Sequence, residues 1–529
     1  METLLADLNR SQYILQTQLA HLPFNPRDSR EFGDRIGATT TIGEYSVLFQ
    51  LATSCTVLHD RVDELFNDRQ KQHRVIELLV ECGPKGIYPS IDGFYAFVQY
   101  NRSYYASYHH CNNRDLFTQM ARLHVHVCPD LRANLVRPMT RADRRRVKVG
   151  FVSSLLLKTH SVAKDRLGII KALSEDERFD VRIMTSECET DAFFDEVVGV
   201  DKRIVCRLSE RLSTARRQIA DEQFDILVYP EVGMCQRTRL IAFARLAPVQ
   251  IATWGHSDTT GLPEIDYFVS SVYFDDEEDA TMHYSERLLR LGSLGTYYYN
   301  LVERSRPSIR CDELDDTVDA LADQLGIRTP TVYGCLQTYF KLHPTFIAIV
   351  RTILQRDAHG VVLLLVHDHR ADVVDYLRRH ALPLDRLIIL DPLPYGAFCH
   401  AISRCDVVLD YYPFGGFNST LDSLALGKVV ITKSGPRISG KLTSGLYRKM
   451  GIDEFVCATV DEYTQKAVYY ATHKEARLPF EQLIRDRLSL VFEDRDSITD
   501  WAEMLLGLKR DGRPSETSLA TVNTTRPTH

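Results

Sequence analysis

The segment Tyr412-Pro-Phe-Gly-Gly-Phe-Asn-Ser-Thr-Leu-Asp422 gathers the residue types that hold a diphosphate. It follows a β-rich stretch at 406–410 and runs into a helical pattern that stops at Gly427, so its order is strand, turn, helix and carboxyl cap. Gly415 and Gly416 are read as opening backbone conformations closed to other residues, Asn418 or Ser419 as capping the helix, and Gly427 as ending it. Backbone N–H groups at a helix amino terminus, set among small hydroxyl and amide side chains, attract phosphate oxygens. Asp422, expected in the first helical turn, then accepts from ribose hydroxyls. An ordinary capped helix, with Asp422 answering the helix dipole, fits these residues equally well.

Such a turn needs a sheet to aim it. From residue 147 onward, strand-like stretches at 147–153, 180–185, 225–229, 249–254, 265–270 and 286–291 alternate with helical ones such as 162–173 and 237–246. After a polar, acidic segment at 304–322 the pattern restarts, with strands at 331–337, 361–366, 386–390, 406–410 and 428–433. This alternation predicts an α/β protein with two Rossmann-like lobes, 147–303 and 325–509. Open parallel sheets bind ligands beyond the carboxyl ends of their strands, so the loops there are where chemistry belongs. Residues 1–140 show helical spacing, as at 44–66 and 115–126, without a fixed repeat, which predicts an irregular helical domain. The basic run Arg141-Ala-Asp-Arg-Arg-Arg146 marks a boundary and reads as a solvated linker. Final helices at 461–472 and 480–508 lead to a Ser/Thr/Arg-rich tail, 510–529, expected to be disordered.

With 529 residues, 44% hydrophobic and 26% charged, the chain has the material for two or three cores. Its net charge of -7 gives no broad attraction to nucleic acid or anionic membrane. Residues 1–19 mix charged side chains into their apolar pattern, unlike a signal peptide, and no later apolar run is long enough for a bilayer, so a cytoplasmic or nuclear location is expected. Twelve cysteines without zinc spacing predict free thiols, Cys399 and Cys405 among them as small packing residues on a helix and at the next strand. Asp275-Asp-Glu-Glu-Asp279 reads as a solvated acidic turn rather than a metal cluster. Tyr297-Tyr-Tyr299 suits a substrate groove or a lobe junction equally.

The Tyr412–Asp422 segment resembles the Pro-Phe-Gly-Asn-Thr-Asn-Gly-Ile-x-Asp stretch of bacterial cytoplasmic N-glycosyltransferases that modify adhesins, and Gly445-Leu-Tyr-Arg-Lys-Met-Gly-Ile452 resembles a further block of theirs. The protein O-GlcNAc transferases share these motifs, and together they form glycosyltransferase family 41. Val149-Gly-Phe-Val-Ser-Ser154, Phe224-Asp-Ile-Leu-Val-Tyr-Pro-Glu-Val-Gly-Met234, Arg245-Leu-Ala-Pro-Val-Gln-Ile251 with Trp254-Gly-His-Ser-Asp-Thr-Thr-Gly261, and Tyr284-Ser-Glu-Arg-Leu288 are similar to successive first-lobe blocks of that family. The resemblance covers about residues 147–475 with its blocks in order; the tandem helical repeats of O-GlcNAc transferases are not recognised in the first 140 residues.

What the resemblance implies is a GT-B architecture with a helical amino-terminal domain, and an inverting transfer of GlcNAc or a hexose from a UDP-sugar to a Ser/Thr or Asn side chain of a protein. Lys341, in Gly334-Cys-Leu-Gln-Thr-Tyr-Phe-Lys-Leu-His-Pro344, matches the family lysine beside the donor diphosphate, where its charge supports the UDP leaving group without a metal; a surface lysine before a helix is the plainer reading. Phe414, Asn418, Ser419 and Asp422 match positions around phosphate and ribose, and Gln337 and Tyr395 fall near nucleotide contacts. His160 falls near a family histidine facing the cleft and is a candidate base, or a structural loop residue. His256 matches the first histidine of a Gly-His-Pro-Ala-Thr-Thr-His motif, as a phosphate contact or a structural hydrogen bond, and Gly261 stands where the second would be. The expected donor is UDP-GlcNAc or UDP-Glc, with no tightly bound cofactor, no metal, and a protein or peptide acceptor. A UDP-sugar epimerase or hydrolase, or an inactive nucleotide-sugar-binding protein, would use the same architecture.

Overall fold

Short runs of β-branched and aliphatic residues build two parallel sheets in the computed structural model, which describes residues 49–50, 52–99, 101, 103–136, 146–276, 278–305 and 309–511. Residues 1–19, the basic run except Arg146, and the tail beyond residue 511 lie outside the described residues. The first sheet holds β1 (Val147–Val152), β2 (Phe179–Thr185), β3 (Val205–Arg207), β4 (Ile226–Tyr229), β5 (Val249–Thr253), β6 (Tyr267–Ser271) and β7 (Arg287–Leu291), in the order β3-β2-β1-β4-β5-β6-β7. The second holds β8 (Thr331–Cys335), β9 (Gly360–Leu365), β10 (Leu387–Leu390), β11 (Val407–Leu409), β12 (Val430–Lys433) and β13 (Val456–Cys457), in the order β10-β9-β8-β11-β12-β13. Helices cover both faces of each sheet, so inner strands such as β4 and β5 are buried along their whole length and read as near-continuous apolar runs. The expected α/β fold with two Rossmann-like lobes is borne out. β3 and β13, two or three residues long and paired on one side, escaped the pattern.

The helices used below are α1 (Val62–Cys82), α2 (Ile91–Val98), α3 (Arg114–Val127), α4 (Ser161–Glu175), α5 (Pro344–Arg356), α6 (Tyr395–Arg404), α7 (Asn418–Ala425), α8 (Ile438–Met450), α9 (Val460–Thr472), α10 (Lys474–Asp486) and α11 (Arg495–Asp511). The helix expected at 44–66 is not continuous: residues 54–61 are non-helical, and the Gln72 amide donates to the Ala52 and Ser54 carbonyls, replacing the bonds a helix would supply. The single helix expected at 480–508 is broken between α10 and α11, where Glu493 takes a φ of 50° and its N–H bonds to the Tyr298 carbonyl.

The final helix also changes lobes. Expected to close the second lobe, α11 instead puts Trp501, Ala502, Leu505 and Leu508 into the first-lobe core with Val149, Leu167 and Ile170, and Trp501 Nε1 donates to the Gly295 carbonyl at 2.9 Å. The acidic turn corrects another expectation. Asp275 is buried, accepting from Ser270 Oγ at 2.6 Å and Tyr284 OH at 2.7 Å, while Asp276 receives Lys441 of α8 at 2.8 Å and Arg448 at 2.9 Å across the lobes. Among the described residues no helix is long and apolar enough to cross a membrane.

Candidate donor site at the second-lobe switch point

Strand order in the second sheet reverses between β8 and β11, and the two loops leaving their carboxyl ends meet. Beyond β8 the chain passes through Gln337 and a 3₁₀ turn, Tyr339–Lys341, into α5, whose first turn is capped by His343 Nδ1 accepting the Thr345 N–H at 3.2 Å. The turn delivers the Lys341 ammonium to Gln337 Oε1 at 2.8 Å and to the Gly415 carbonyl at 2.8 Å, 4.6 Å from the centre of the Phe414 ring. Burial lowers the Lys341 pKa to about 8, and the charge of Asp410 opposes that fall.

Asp410 was not singled out from sequence, yet it organises the loop. Its Oδ1 accepts from Gln337 Nε2 at 2.9 Å and from the Gly416 N–H at 2.7 Å, and its Oδ2 from Thr432 Oγ1 at 2.8 Å. Burial raises its carboxyl pKa and these donors counter it. The available signal was a polar residue closing an apolar strand. Asp410 also explains the glycines. Neither Gly415 nor Gly416 has a positive φ; a Cβ on Gly415 would lie 2.8 Å from Asp410 Oδ2, and one on Gly416 2.6 Å from Ser419 Oγ. Space, not backbone freedom, requires them.

Helix α7 begins without a side-chain cap, Phe417 standing at the cap position, so the expected capping by Asn418 or Ser419 is not found. Its first turn opens at half-exposed Asn418 and Ser419, and the N–H groups of an uncapped helix start suit an anion. Asn418 is held from the other lobe: its Oδ1 accepts from Tyr298 OH at 2.7 Å, and its side chain bonds to Asp165 of α4. Burial lifts Asp165 to about 7, and its Oδ1 has no hydrogen-bond partner among the described residues. Tyr298 thus lies at the lobe junction and on the candidate site at once.

Asp422 lies one turn into α7 rather than in its first turn. It is buried and accepts from Tyr395 OH, at the start of α6, at 2.7 Å. Burial raises its carboxyl pKa, opposed by the charge of Lys164, whose ammonium stands 4.9 Å over the Tyr395 ring. Gly427, with φ of 72°, ends the helix as expected, its N–H reaching the Leu424 carbonyl at 2.8 Å.

The two first-lobe histidines are differently placed. His160 is the amino-terminal cap of α4, its Nδ1 accepting the Val162 N–H at 3.2 Å, four residues before Lys164. Burial and then Lys164 lower its pKa. His256 turns instead into the junction with the helical domain, where Nε2 lies 3.2 Å from Ser107 Oγ, and burial takes it down to about 3. Gly261 has a φ of 69°, and a Cβ there would fall 2.4 Å from the Phe117 backbone of α3, so no histidine fits. Gln337, Lys341, Tyr395, Phe414, Asn418, Ser419 and Asp422 are thus gathered on the second lobe, with Lys164 and Asp165 of α4 facing them and His160 at the start of that helix. Thr338, unremarked in the sequence, adds a buried hydroxyl without a partner among the described residues.

No family model matches the chain. Among curated proteins, UDP-glucose:protein N-beta-glucosyltransferase of Actinobacillus pleuropneumoniae serotype 7 (strain AP76) is 27% identical over 288 residues, covering 52% of this chain and 43% of that protein. The probable UDP-N-acetylglucosamine--peptide N-acetylglucosaminyltransferase SPINDLY of Solanum lycopersicum is 24% identical over 331 residues, 61% of this chain and 32% of that one. The chain spans less than half the length of these relatives. Among solved structures, a mutant of the Thermobaculum terrenum O-GlcNAc transferase superposes with a TM-score of 0.62 at 21% identity, covering 96% of this chain and 95% of that chain, and shares its fold.

Proposed function

We propose that this relative of glycosyltransferase family 41 is an inverting, metal-independent transferase that moves GlcNAc or a hexose from a UDP-sugar to a Ser/Thr or Asn side chain of a protein, in the cytoplasm or nucleus. The observation that carries the reading is the Lys341 ammonium, fixed by Gln337 and the Gly415 carbonyl beside the uncapped amino terminus of α7. Two of its three N–H bonds are used within the protein, and the third serves a phosphate oxygen of the donor. As the sugar–phosphate bond breaks, negative charge grows on the UDP diphosphate, and a preorganised ammonium with helix N–H groups stabilises it most at that moment. In this role the ammonium replaces a divalent cation.

Asn418 and Ser419 flank the diphosphate, Phe414 supports the lysine from below, and Asp422 takes a ribose hydroxyl on the carboxylate that Tyr395 orients. His160 spends Nδ1 on the α4 cap, so its neutral form carries the proton on Nε2. That tautomer donates to the acceptor or sugar and is poorly disposed to act as the base, which favours a substrate-assisted removal of the acceptor proton. His256 serves the helical-domain junction rather than the donor. The activities named for both curated relatives favour transfer over an epimerase, a hydrolase or an inactive binding protein.

Incubation with labelled UDP-GlcNAc or UDP-Glc and a peptide library tests donor and acceptor together. Lys341→Met is expected to slow transfer by about 10²–10³-fold without lowering the unfolding midpoint, the loss typical of one oxyanion-type donor. Undiminished transfer by this variant overturns the mechanism.

A further inference from the structure

A second cluster of cations lies beside the donor loop, where the helical domain meets both lobes. Lys433 ends β12 and stands 4.6 Å over the Tyr412 ring; Arg437 is the extended residue that starts α8. Tyr412 OH lies 3.4 Å from Nε2 of His110, in the loop that also carries Asn112 and Asn113. Arg69 of α1 is only 7% exposed; its Nη2 donates to the Asn112 carbonyl at 3.1 Å, and its Nη1 has no hydrogen-bond partner among the described residues. The side chains of Arg437 and Lys433 make no ion pair or hydrogen bond among the described residues, although both residues are half-buried.

Three cations share a partly dry junction without a carboxylate bound to any of them among the described residues, and the surrounding groups register the field. Burial and the charges of Arg437 and Lys433 hold His110 down at about 4, and Arg69 adds to the burial that lowers Arg437. Asp258, whose charge reaches Arg437, is already engaged by Ser107 Oγ at 2.8 Å, by the Asn113 amide and by the Thr259 N–H. Taking charges out of water without a counter-charge is costly, so the cluster is arranged for an anion that arrives from outside. The amino terminus of the thirteen-residue helix α8 adds its dipole to the same place.

We propose that Lys433 and Arg437, backed by Arg69, form an acceptor-side subsite that takes a Glu or Asp side chain of the polypeptide substrate. The assignment rests on the transferase reading. Its position favours a peptide carboxylate: Tyr412 is two residues from Phe414, whose ring supports Lys341, so a residue a few positions from the modified one reaches the cluster in an extended chain at roughly 3.3 Å per residue. The Tyr108 and Phe414 rings, 4.5 Å apart, offer an apolar wall along that path. A guanidinium receives a carboxylate on two parallel N–H bonds, whereas glutamine cannot replace that charge.

The full chain, saturated with UDP, is titrated by fluorescence anisotropy with two labelled peptides, one of alternating Ala and Glu and one with Gln in place of every Glu. The Glu peptide is expected to bind at least about tenfold more tightly to wild type. Lys433→Gln and Arg437→Gln should each cut that preference to about threefold or less, with UDP affinity within about twofold of wild type. Equal binding of the two peptides by wild type, or a preference that survives both substitutions, overturns the subsite. Parallel loss of UDP affinity assigns the cluster to the donor and overturns it as well. Should Arg437→Gln fail to fold, the half-exposed Lys433 carries the test alone. UDP binding by wild type is measured separately, so failure of the donor reading is distinguished from failure of this one.

Discussion

A lysine whose pKa has fallen to about 8 is poised so that small changes of environment decide its charge. The diphosphate proposed to bind beside Lys341 favours the protonated form and raises that pKa in the complex. The sign follows: UDP affinity is constant below about pH 8, where the free protein already carries the charge, and falls as pH rises from there toward the higher pKa of the complex, by up to about tenfold per unit. Calorimetric titration with UDP between about pH 6.5 and 9.5 measures the slope, and Lys341→Met should abolish it. An affinity independent of pH in the wild type would remove Lys341 from the diphosphate. Lys341 was legible because its neighbours form a motif of fixed order. Asp410 was not: an aspartate closing a strand serves many ends, and only the meeting of Gln337, Gly416 and Thr432 on its two oxygens singles it out.

Strands buried on both faces announce themselves as apolar runs, which is why the inner strands of both sheets were found to within about two residues. Edges and junctions do not. The close seating of α3 on the first lobe left one trace in the sequence, a glycine at 261, and gave no reason for it. The reason is the Phe117 backbone, which occupies the space of any Cβ, together with a φ of 69°. Gly261→Ala is expected to cost at least about 2 kcal/mol, because it adds left-handed strain to an overpacked contact. Urea denaturation measures it, and a loss under about 0.5 kcal/mol would mean that the helical domain sits loosely on the lobe. The same contact accounts for the absent second histidine: the helical domain fills the space its side chain would take.

The two lobes are joined by more than the segment between them. Asp276 meets Lys441 and Arg448, Asp165 and Tyr298 hold Asn418, and α11 carries the end of the second lobe back into the first-lobe core. Trp501→Ala is accordingly expected to destabilise the first lobe by about 3–5 kcal/mol, as for a buried aromatic, although the residue lies some two hundred positions beyond that lobe's last strand. Hydrogen exchange that rises in β1 and α4 but not in β8 and β11 would bear this out; the opposite pattern would return α11 to the second lobe. The sequence by itself determined the two α/β lobes, the switch-point loop and the lysine beside it, since periodicity and local motifs are written in neighbouring residues. Only the tertiary structure decided that Asn418 is a bridge rather than a cap, that His256 faces the helical domain, and that Arg69, Lys433 and Arg437 share one junction. Each of these depends on side chains distant along the chain meeting in space, and burial and charge act across that meeting rather than along the sequence.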